Sequence, residues 1–346
     1  MNKNIKFTFV LPVHNGMSNG KNYIKEQVES IINQEYKNWN LIILENMSND
    51  GTLEYLNTLS DSRISIERSD KFLTLEENWK RILKTHREDY TIIAMADDKY
   101  DQNYLNEIVD LIHKYPNANV YRTNLNIIDE NSNIIGKSTI KETISFLEYM
   151  EGRLCHTYFE TFQGYCFKTS FYDKTGGFEC VNKGFYMDDK IVLTAIGETL
   201  MPVSPSHVCY YRTHKNSCSG SPDIVLDLIN YKYFFEWLKS LKNKNLDFII
   251  KKYLPYHIKC CSHFYTENQI REYKEIYKLY SINENDLLHK WINYKLKHNP
   301  SFKSFLQGIF SIKNEYKNDI KRKVIKFLGI KMTFKCYKKG VNQNDY

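Results

Sequence analysis

The first 125 residues alternate short β-branched runs with amphipathic stretches, and this alternation constrains the fold more than any other feature of the sequence. The predicted strands are residues 6–13, 41–45, 64–67, 90–94 and 119–123. The predicted helices are residues 24–34, 53–59, 76–85 and 104–115, and the third opens on a capping-box pattern at Thr74 and Glu77. This repetition predicts an α/β fold with a doubly wound, mostly parallel sheet, whose ligands bind at the carboxyl ends of the strands.

The rest of the chain divides by pattern and by charge. Residues 126–220 are less regular, with a predicted hairpin around residues 129–132, and the pattern becomes helical from about Asp223. Residues 1–240 hold 26 Lys and Arg against 32 Asp and Glu, whereas residues 241–346 hold 22 against 9. We therefore predict a first domain over residues 1–221 and a helical, basic C-terminal region over residues 222–346.

Signals for metal clusters, disulfides and membrane spans are weak. The eight cysteines form no C-x-x-C pair, so the sequence suggests neither a zinc cluster nor a disulfide framework. The N-terminal run is too brief for a signal peptide, and no stretch approaches the ~20 apolar residues of a membrane span. The simplest interpretation is a cytoplasmic protein with reduced thiols.

Polar residues follow three of the predicted strands. The first strand leads into PVHNG (residues 12–16), the second into ENMSNDGT (residues 45–52), and the fourth to the adjacent carboxylates of Asp97 and Asp98. Asn, Asp and Gly are also ordinary loop formers, and each segment taken alone leaves that alternative open. Two neighbouring carboxylates repel each other, so the Asp97–Asp98 pair at the end of a buried strand needs a physical reason.

These segments together resemble the start of a family 2 glycosyltransferase. That family reads as a strand ending in P-V-Y-N, a helix ending in S-I-L-x-Q-x-Y and a strand ending in D-D-x-S-x-D-G-T. The corresponding segments here are PVHN (residues 12–15), SIINQEY (residues 30–36) and ENMSNDGT (residues 45–52). The resemblance extends to about residue 220 and implies a GT-A fold, which is Rossmann-like, followed by a helical, basic extension.

The resemblance also implies a site for a nucleotide-sugar donor, with a UDP-sugar favoured. Glu45 and Asn46 would contact the base and ribose, and His14 stands where the family usually has an aromatic Tyr. The other residues expected to line the donor site are Pro12, Asn15, Asn78, Asp97 and Arg212. For Asn78, an ordinary polar position on a helix surface is an equally weighted alternative.

The resemblance places Asp97 and Asp98 on the family's D-x-D motif, whose carboxylates hold Mn²⁺ or Mg²⁺ against the donor diphosphate. Relatives often carry a further Asp where this chain has Met95, so Asp98 is the stronger single candidate. His214, in the segment YRTHKNS (residues 211–217), is a third candidate ligand, and imidazole suits Mn²⁺ better than Mg²⁺. A lone histidine is more often structural.

A second acidic pair follows the turn at Gly176 and Gly177. In the family, G-G-F precedes an E-D pair whose second acid is the general base, so Asp189 is the predicted base, with Asp188 in place of the Glu. A base is needed because an alcohol is a poor nucleophile until its proton is taken. The alternative is a pair of acids favoured by the positive end of a helix dipole.

The basic tail predicts a partner of opposite charge. Its last part interleaves Ile, Phe and Leu with Lys and Arg, as an interfacial amphipathic segment does, and a helical subdomain packed on the body fits the same pattern. It resembles the endings of bacterial enzymes that build lipopolysaccharide, lipooligosaccharide or capsule. The expected partners are a glycan or lipid-linked glycan acceptor and the anionic inner face of the cytoplasmic membrane, and no nucleic acid is expected, since no nucleic-acid module is recognised.

The sequence thus favours an inverting glycosyltransferase, with inversion implied by the resemblance alone. A nucleotidyltransferase-like enzyme would also pair strand-end acids with a metal, but PVHNGMSNGKN (residues 12–22) is a poor triphosphate loop. A catalytically silent glycan-binding protein is the alternative outside enzymes.

Overall fold

The computed structural model describes residues 4–17, 21–158, 161–178, 186–214, 228–261, 275–283, 310–317, 320–327 and 330–335. The chain divides into two compact units. One comprises Met1–His257 with Phe264–Ile282, and the other comprises Ile258–His263 with Asn283–Tyr346. The predicted domain boundary after residue 221 falls outside the described residues and stays a prediction.

A mixed sheet forms the centre of the first unit. Its described strands run in the order β3-β2-β1-β4-β9-β6-β10-β5, with β7 beside β6 and β8 beside β10. The strands are β1 (Phe7–Val13), β2 (Trp39–Glu45), β3 (Ile64–Arg68), β4 (Tyr90–Ile93), β5 (Lys99–Tyr100), β6 (Val120–Ile128), β7 (Ile134–Ser138), β8 (Thr143–Ile144), β9 (Tyr165–Lys168) and β10 (Met201–Arg212). The β1–β2, β2–β3, β1–β4 and β6–β10 pairs are parallel.

The predicted elements of the first 125 residues are confirmed, each within a few residues of its predicted ends apart from the longer β6. The described helices up to Ser240 are α1 (Tyr23–Ile32), α2 (Thr52–Leu56), α3 (Leu75–Lys80), α4 (Tyr104–Lys114), α5 (Phe146–Leu154), α6 (Thr169–Lys174), α7 (Met187–Ile196) and α8 (Leu228–Ser240). The predicted capping box at Thr74 is present, since its hydroxyl accepts from the N–H of Glu77. A 3₁₀ turn at Arg81–Lys84 continues α3.

Burial on both faces explains the apolar character of the central strands. β1 is buried at every position except Pro12, which is half-buried. The stripe of Ile24, Val28 and Ile31 on α1 is fully buried in the same core cluster as β1. A strand covered on both faces needs a continuous apolar run, whereas a half-exposed strand alternates.

The sheet is less parallel than predicted because β9 lies between β4 and β6. It pairs antiparallel with both neighbours, through Tyr90↔Lys168 and Val120↔Phe167. β9 has only four residues and follows Gly164, which adopts a φ of 89°. So short a run after a glycine turn gives little periodic signal.

The predicted hairpin is confirmed between β6 and β7, which pair antiparallel. The Asp129 carboxylate closes its turn by accepting the backbone N–H groups of Asn131 at 2.8 Å and Asn133 at 2.9 Å. An Asp side chain that accepts a backbone N–H two residues on forms an Asx turn, which is why this residue type favours such positions.

The C-terminal part begins as predicted and then departs from the prediction. α8 and α9 (Lys244–Cys261) are helices, but β11 (Phe310–Lys317), β12 (Ile320–Phe327) and β13 (Ile330–Lys335) form a three-stranded antiparallel sheet. The prediction of a helical end was therefore wrong for these strands. Apolar residues at alternate positions, as in Ile330, Met332 and Phe334, have the strand period of two. Within the described residues, no helix combines the length and the apolar character that crossing a membrane requires.

Candidate active site

The carboxyl ends of β1, β2 and β4 bring the predicted donor-site segments to one edge of the sheet. Parallel pairing aligns Val13 with Glu45, and the N–H of Asn46 donates to the carbonyl of Val13 at 2.9 Å. The N–H of Ala94 donates to Val10, so the segment that leads to Asp97 leaves beside β1. Segments that are separate in sequence therefore line one edge, as the sheet topology predicted.

Glu45 and Asn46 stabilise the loop after β2. The buried Glu45 carboxylate accepts the N–H groups of Met47 and Ser48 and lies 3.2 Å from Nε of Arg68. The Asn46 side chain exchanges two hydrogen bonds with the backbone of Leu73. Both predicted base-contacting side chains thus make several contacts within the protein, and their role toward a nucleotide stays a prediction.

His14 and Phe72 present rings at the surface beside this loop. Nδ1–H of His14 donates to the carbonyl of Asn46 at 2.7 Å, and its ring meets the edge of the Phe72 ring at a centroid distance of 5.0 Å. Phe72 is 62% exposed, which is unusual for so large an apolar side chain. Asn15 has a φ of 55°, and its side-chain oxygen accepts the N–H of Asn49. Pro12 is the next-to-last residue of β1.

Asn78 is buried, which excludes the alternative of an ordinary surface position. Its amide nitrogen donates to the carbonyl of Leu44 at 3.4 Å, and its oxygen accepts from Nη1 of Arg81 at 2.9 Å. The same Nη1 donates to the carbonyl of Glu45, and Nη2 donates to that of Glu67. Asn78 and Arg81 thus fix α3 and its 3₁₀ extension against the ends of β2 and β3.

Asp97 and His214 face each other across the same edge. Nε2 of His214 lies 3.0 Å from Oδ2 of Asp97, and the two side chains are 13% and 35% exposed. Tyr23 of α1 packs its ring at 5.1 Å from the His214 ring. An imidazole nitrogen and a carboxylate oxygen therefore converge at an accessible point.

Asp98, which follows Asp97 in the chain, is 1% exposed and is therefore less accessible than the contact between Asp97 and His214. Its Oδ1 accepts the backbone N–H of Arg212 at 2.7 Å. Burial raises the pKa of Asp98 well above its usual value, and the Asp97 carboxylate raises it further, against the opposing effect of Arg212. Of the two strand-end carboxylates, Asp97 is the accessible one, although the sequence favoured Asp98.

The Arg212 guanidinium joins three segments around the two aspartates. Nε donates to the carbonyl of Asp97, and Nη1 donates to the carbonyl of Asp129 and the hydroxyl of Ser132. Nη2 lies 2.8 Å from the carboxylate of Glu26 on α1. Arg212 is fully buried in these contacts, so its predicted contact with phosphate stays a prediction.

The second acidic pair opens α7. Asp189 is 1% exposed, and its carboxylate accepts Nε and Nη2 of Arg153 at 2.6 and 2.9 Å and the hydroxyl of Tyr149 at 2.8 Å. Burial opposes the charge of Arg153, but the Asp189 carboxylate holds the pKa of Arg153 well above its usual value. Asp188 is half-buried and accepts the N–H of Asp189.

The glycine turn before this pair is required by its backbone. Gly176 and Gly177 have φ values of 75° and 71°, a region that favours glycine. A Cβ on Gly177 would also lie 3.0 Å from Leu83. Phe178 then packs its ring 4.5 Å from that of Trp79.

Two histidines adjoin the start of α7. The rings of His156 and His257 stack at a centroid distance of 4.7 Å, and Nε2 of His257 lies 2.6 Å from the hydroxyl of Tyr186. Tyr186 directly precedes α7 with a φ of 64°. Burial lowers the pKa of His257 well below its usual value, and His156 and Arg153 lower it further.

Sequence reasoning missed Phe72, Arg81, Tyr149 and Arg153. Tyr149 and Arg153 are four residues apart on α5, so they lie on one face of that helix, and this spacing was the available signal. Phe72 lies in a stretch without periodic pattern, and only its exposure identifies it.

The donor set at Asp97 and His214 fits a divalent cation that is held partly by its substrate. Within the part of the chain that the structure describes, no three His, Cys, Asp or Glu side chains are grouped to hold a metal ion. Mg²⁺ in nucleotide enzymes is commonly held by one or two carboxylates together with substrate phosphates and water. An oxygen and a nitrogen ligand 3.0 Å apart meet that requirement and also suit Mn²⁺.

The sequence of the chain is similar to those of known glycosyltransferases. Residues 8–179 match the model of "Glycosyl transferase family 2". The chain is 30% identical over 119 residues to "Putative glycosyltransferase EpsE" of Bacillus subtilis (strain 168), an alignment that spans 33% of this chain and 42% of that protein. Asp188, Asp189, Arg212 and His214 lie beyond the matched residues 8–179.

Solved structures extend the likeness of fold. The crystal structure of S. aureus TarS 1-349 in complex with UDP-GlcNAc has a TM-score of 0.63 and 14% identity, with 98% of this chain and 100% of that chain covered. The complex of the same protein with UDP has a TM-score of 0.58 and 14% identity over 92% of this chain and 96% of that chain. The fold of this chain is that of the GT-A glycosyltransferases.

Proposed function

Residues 8–179 are a glycosyl transferase family 2 domain, and on that premise we propose that the chain transfers a sugar from a nucleotide-sugar donor to a hydroxyl group of a glycan acceptor. The observation that carries the proposal is the convergence of Asp97 and His214 at the strand-end edge of this domain's sheet. A hexosyl or N-acetylhexosaminyl group transferred with inversion is the form that the family resemblance supports.

The donor would lie along the ends of β1 and β2. The rings of His14 and Phe72 offer apolar faces at the surface for a base, and the loop held by Glu45, Asn46 and Asn78 supports them. A UDP-sugar is the favoured donor.

The diphosphate would lie at Asp97 and His214. These two side chains would hold Mn²⁺ or Mg²⁺, which supplies positive charge to the leaving nucleoside diphosphate. Arg212 and Asp98 support them from behind, since Arg212 donates to the Asp97 carbonyl and through its backbone to Asp98.

The acceptor proton would be taken at the start of α7. Asp189 is the proposed base, and it can accept a proton only by releasing one of the three donors that its carboxylate now engages. Asp188 is more exposed than Asp189, and it is the second candidate for that proton. Asp188→Asn and Asp189→Asn separate the two, because the variant without the base loses turnover while it keeps donor binding.

The acceptor would be a glycan, lipid-linked at the inner face of the cytoplasmic membrane, in bacterial surface polysaccharide or lipooligosaccharide synthesis. The support is the excess of Lys and Arg in residues 241–346, which suits an anionic membrane surface. In this proposal the enzyme is cytoplasmic and peripheral to the membrane, and nucleic acid is not a partner.

A donor screen tests the proposal. The full chain is mixed with UDP-, GDP- and other nucleotide sugars, with and without Mn²⁺, and binding and slow donor hydrolysis are measured. The expected result is hydrolysis of one donor class that requires the cation and is lost in Asp97→Asn. Background hydrolysis with every donor, together with retained glycan binding, would instead identify a catalytically silent glycan-binding protein.

A further inference from the structure

Large apolar side chains are exposed where α8 passes into α9. Leu241 in the connecting turn is 43% exposed, and Phe248 on the second turn of α9 is 65% exposed. We call residues 239–252 the α8–α9 tip. Exposed apolar side chains that lie close together mark interaction surfaces more often than single scattered ones do.

The fold holds Phe248 outward. Leu246, Ile250 and Leu254 form the fully buried stripe of α9, and Phe248 lies between two of them on the opposite side. The side chain of Asn243 fixes the start of the helix by accepting the N–H groups of Asn245 and Leu246 at 3.0 and 3.1 Å. The outward position of Phe248 is therefore set by a capped helix with a buried face.

The charge of the α8–α9 tip is strongly positive. It contains five lysines and one acid, Asp247, which lies 2.5 Å from Nζ of Lys239. The other four lysines, at positions 242, 244, 251 and 252, are exposed. They flank Leu241 and Phe248 along the chain, in a molecule whose first 240 residues carry a net negative charge.

We propose that the α8–α9 tip is the surface by which the protein docks on an anionic lipid bilayer, with Leu241 and Phe248 entering the interface and the four lysines contacting lipid phosphates. Apolar side chains bordered by lysines are the pattern of interfacial anchors. A second copy of the chain fits this surface poorly, since a symmetric contact brings eight lysines together. The inference rests on the proposed function for its purpose, which is to bring the active site to a lipid-linked acceptor.

Vesicle binding by the full chain tests the proposal. Cosedimentation is measured with vesicles of phosphatidylglycerol and phosphatidylethanolamine and with vesicles of phosphatidylcholine alone. We expect binding to the first vesicles only, falling about tenfold in Phe248→Ser and about fivefold for each of Lys242→Ser and Lys244→Ser. Added salt should weaken it, because exposed charges are screened.

Matched control variants lie on β7, where Ile135 is 60% exposed and Lys137 is also exposed. Ile135→Ser and Lys137→Ser should leave vesicle binding unchanged. Equal losses in the tip and β7 variants, or no binding to anionic vesicles, would overturn the proposal. So would light scattering that shows a dimer which Phe248→Ser converts to a monomer, since the tip would then bind a second copy.

The test is independent of catalysis. Donor hydrolysis needs no membrane, so Phe248→Ser should hydrolyse a donor at the rate of the unaltered chain. Loss of vesicle binding with normal hydrolysis supports the docking surface. Vesicle binding by a chain that hydrolyses no donor would refute the proposed function and leave the docking surface standing.

Discussion

The two pairs of adjacent aspartates are built alike, but they differ in what faces the buried member. In each pair the first residue is partly exposed and the second is 1% exposed. Asp189 meets a guanidinium group and a phenol, whereas Asp98 accepts a backbone N–H and has the Asp97 carboxylate beside it. An opposite charge favours the ionised form of a carboxyl group, and burial favours the neutral form. The buried carboxylate at α7 thus pairs directly with the Arg153 guanidinium. The guanidinium beside the strand-end pair, that of Arg212, instead bonds the carbonyls of Asp97 and Asp129 and the carboxylate of Glu26, and the proposed metal ion would supply the strand-end pair with its cation.

The largest expected effect is a loss of stability when the acidic pair at α7 is altered. Asp189→Asn leaves the Arg153 guanidinium, whose side chain is 21% exposed, facing a neutral amide, and removing one partner of a largely buried pair costs up to about 3–5 kcal/mol of the free energy of unfolding. Urea titration measures that loss.

Asp98→Asn is the matched variant for the strand-end pair. Asn keeps an oxygen to accept the N–H of Arg212 and removes a carboxylate that burial disfavours, so we expect a change below about 1 kcal/mol. If both variants lose the same stability, the two pairs do not differ in the way described.

The next effect is on turnover at the strand-end pair. Asp97→Asn should lower donor hydrolysis about 100-fold, a loss of the size that accompanies damage to a metal site. Because the Asp97 side chain is 35% exposed, the free energy of unfolding should change by less than about 0.5 kcal/mol. Full activity in Asp97→Asn, with activity lost in Asp98→Asn, would identify Asp98 as the metal ligand, which is the residue that the sequence favoured.

The sequence predicted the strands and loops that form the site better than the contacts between its side chains. β1, β2 and β4 and the segments after them follow from local periodicity and turn chemistry, which depend on neighbours in the chain. The Arg153–Asp189 pair joins residues 36 positions apart, and the contact of Arg212 with Glu26 spans 186 positions, so no local pattern reports either one. The burial of the second aspartate of each pair depends on such distant contacts, and the metal-binding role that the sequence favoured for Asp98 stays a prediction.

In residues 310–335, by contrast, a local pattern in the sequence does indicate the structure. Residues 310–335 carry both an excess of lysine and an alternation of period two, and the sequence analysis included them in a helical, basic region. The alternation was the better guide, since Ile330, Met332 and Phe334 share one face only in an extended chain.

Acid should lower the free energy of unfolding through two histidines close to the start of α7. His156 and His257 have pKa values lowered by burial, so the folded protein keeps them neutral while the unfolded chain protonates them near its usual pKa of about 6.5. Their stabilisation is therefore complete above that pH and is lost as the pH falls toward the lowered values. The free energy of unfolding should fall by up to about 1.4 kcal/mol per pH unit for each histidine.

Urea titrations from about pH 7.5 to 5.5 measure this slope across the usual pKa of histidine. His257→Gln should reduce this slope by the contribution of one histidine. An unchanged slope in that variant would assign the acid sensitivity to other groups.

A single hydrogen bond at the α7 pair is tested by removing the phenol hydroxyl of Tyr149. Tyr149→Phe removes one of three donors from the Asp189 carboxylate and leaves both bonds from Arg153, so we expect a loss of about 1 kcal/mol in urea titration. Tyr104→Phe is the matched control, because that tyrosine is equally buried but donates to the carbonyl of Tyr165 over 3.4 Å. A bond to a carboxylate at 2.8 Å should be worth more than a long bond to a neutral carbonyl. Equal losses in the two variants would mean that the phenol contributes no more than any buried hydroxyl, and that Arg153 alone distinguishes the α7 pair from the strand-end pair.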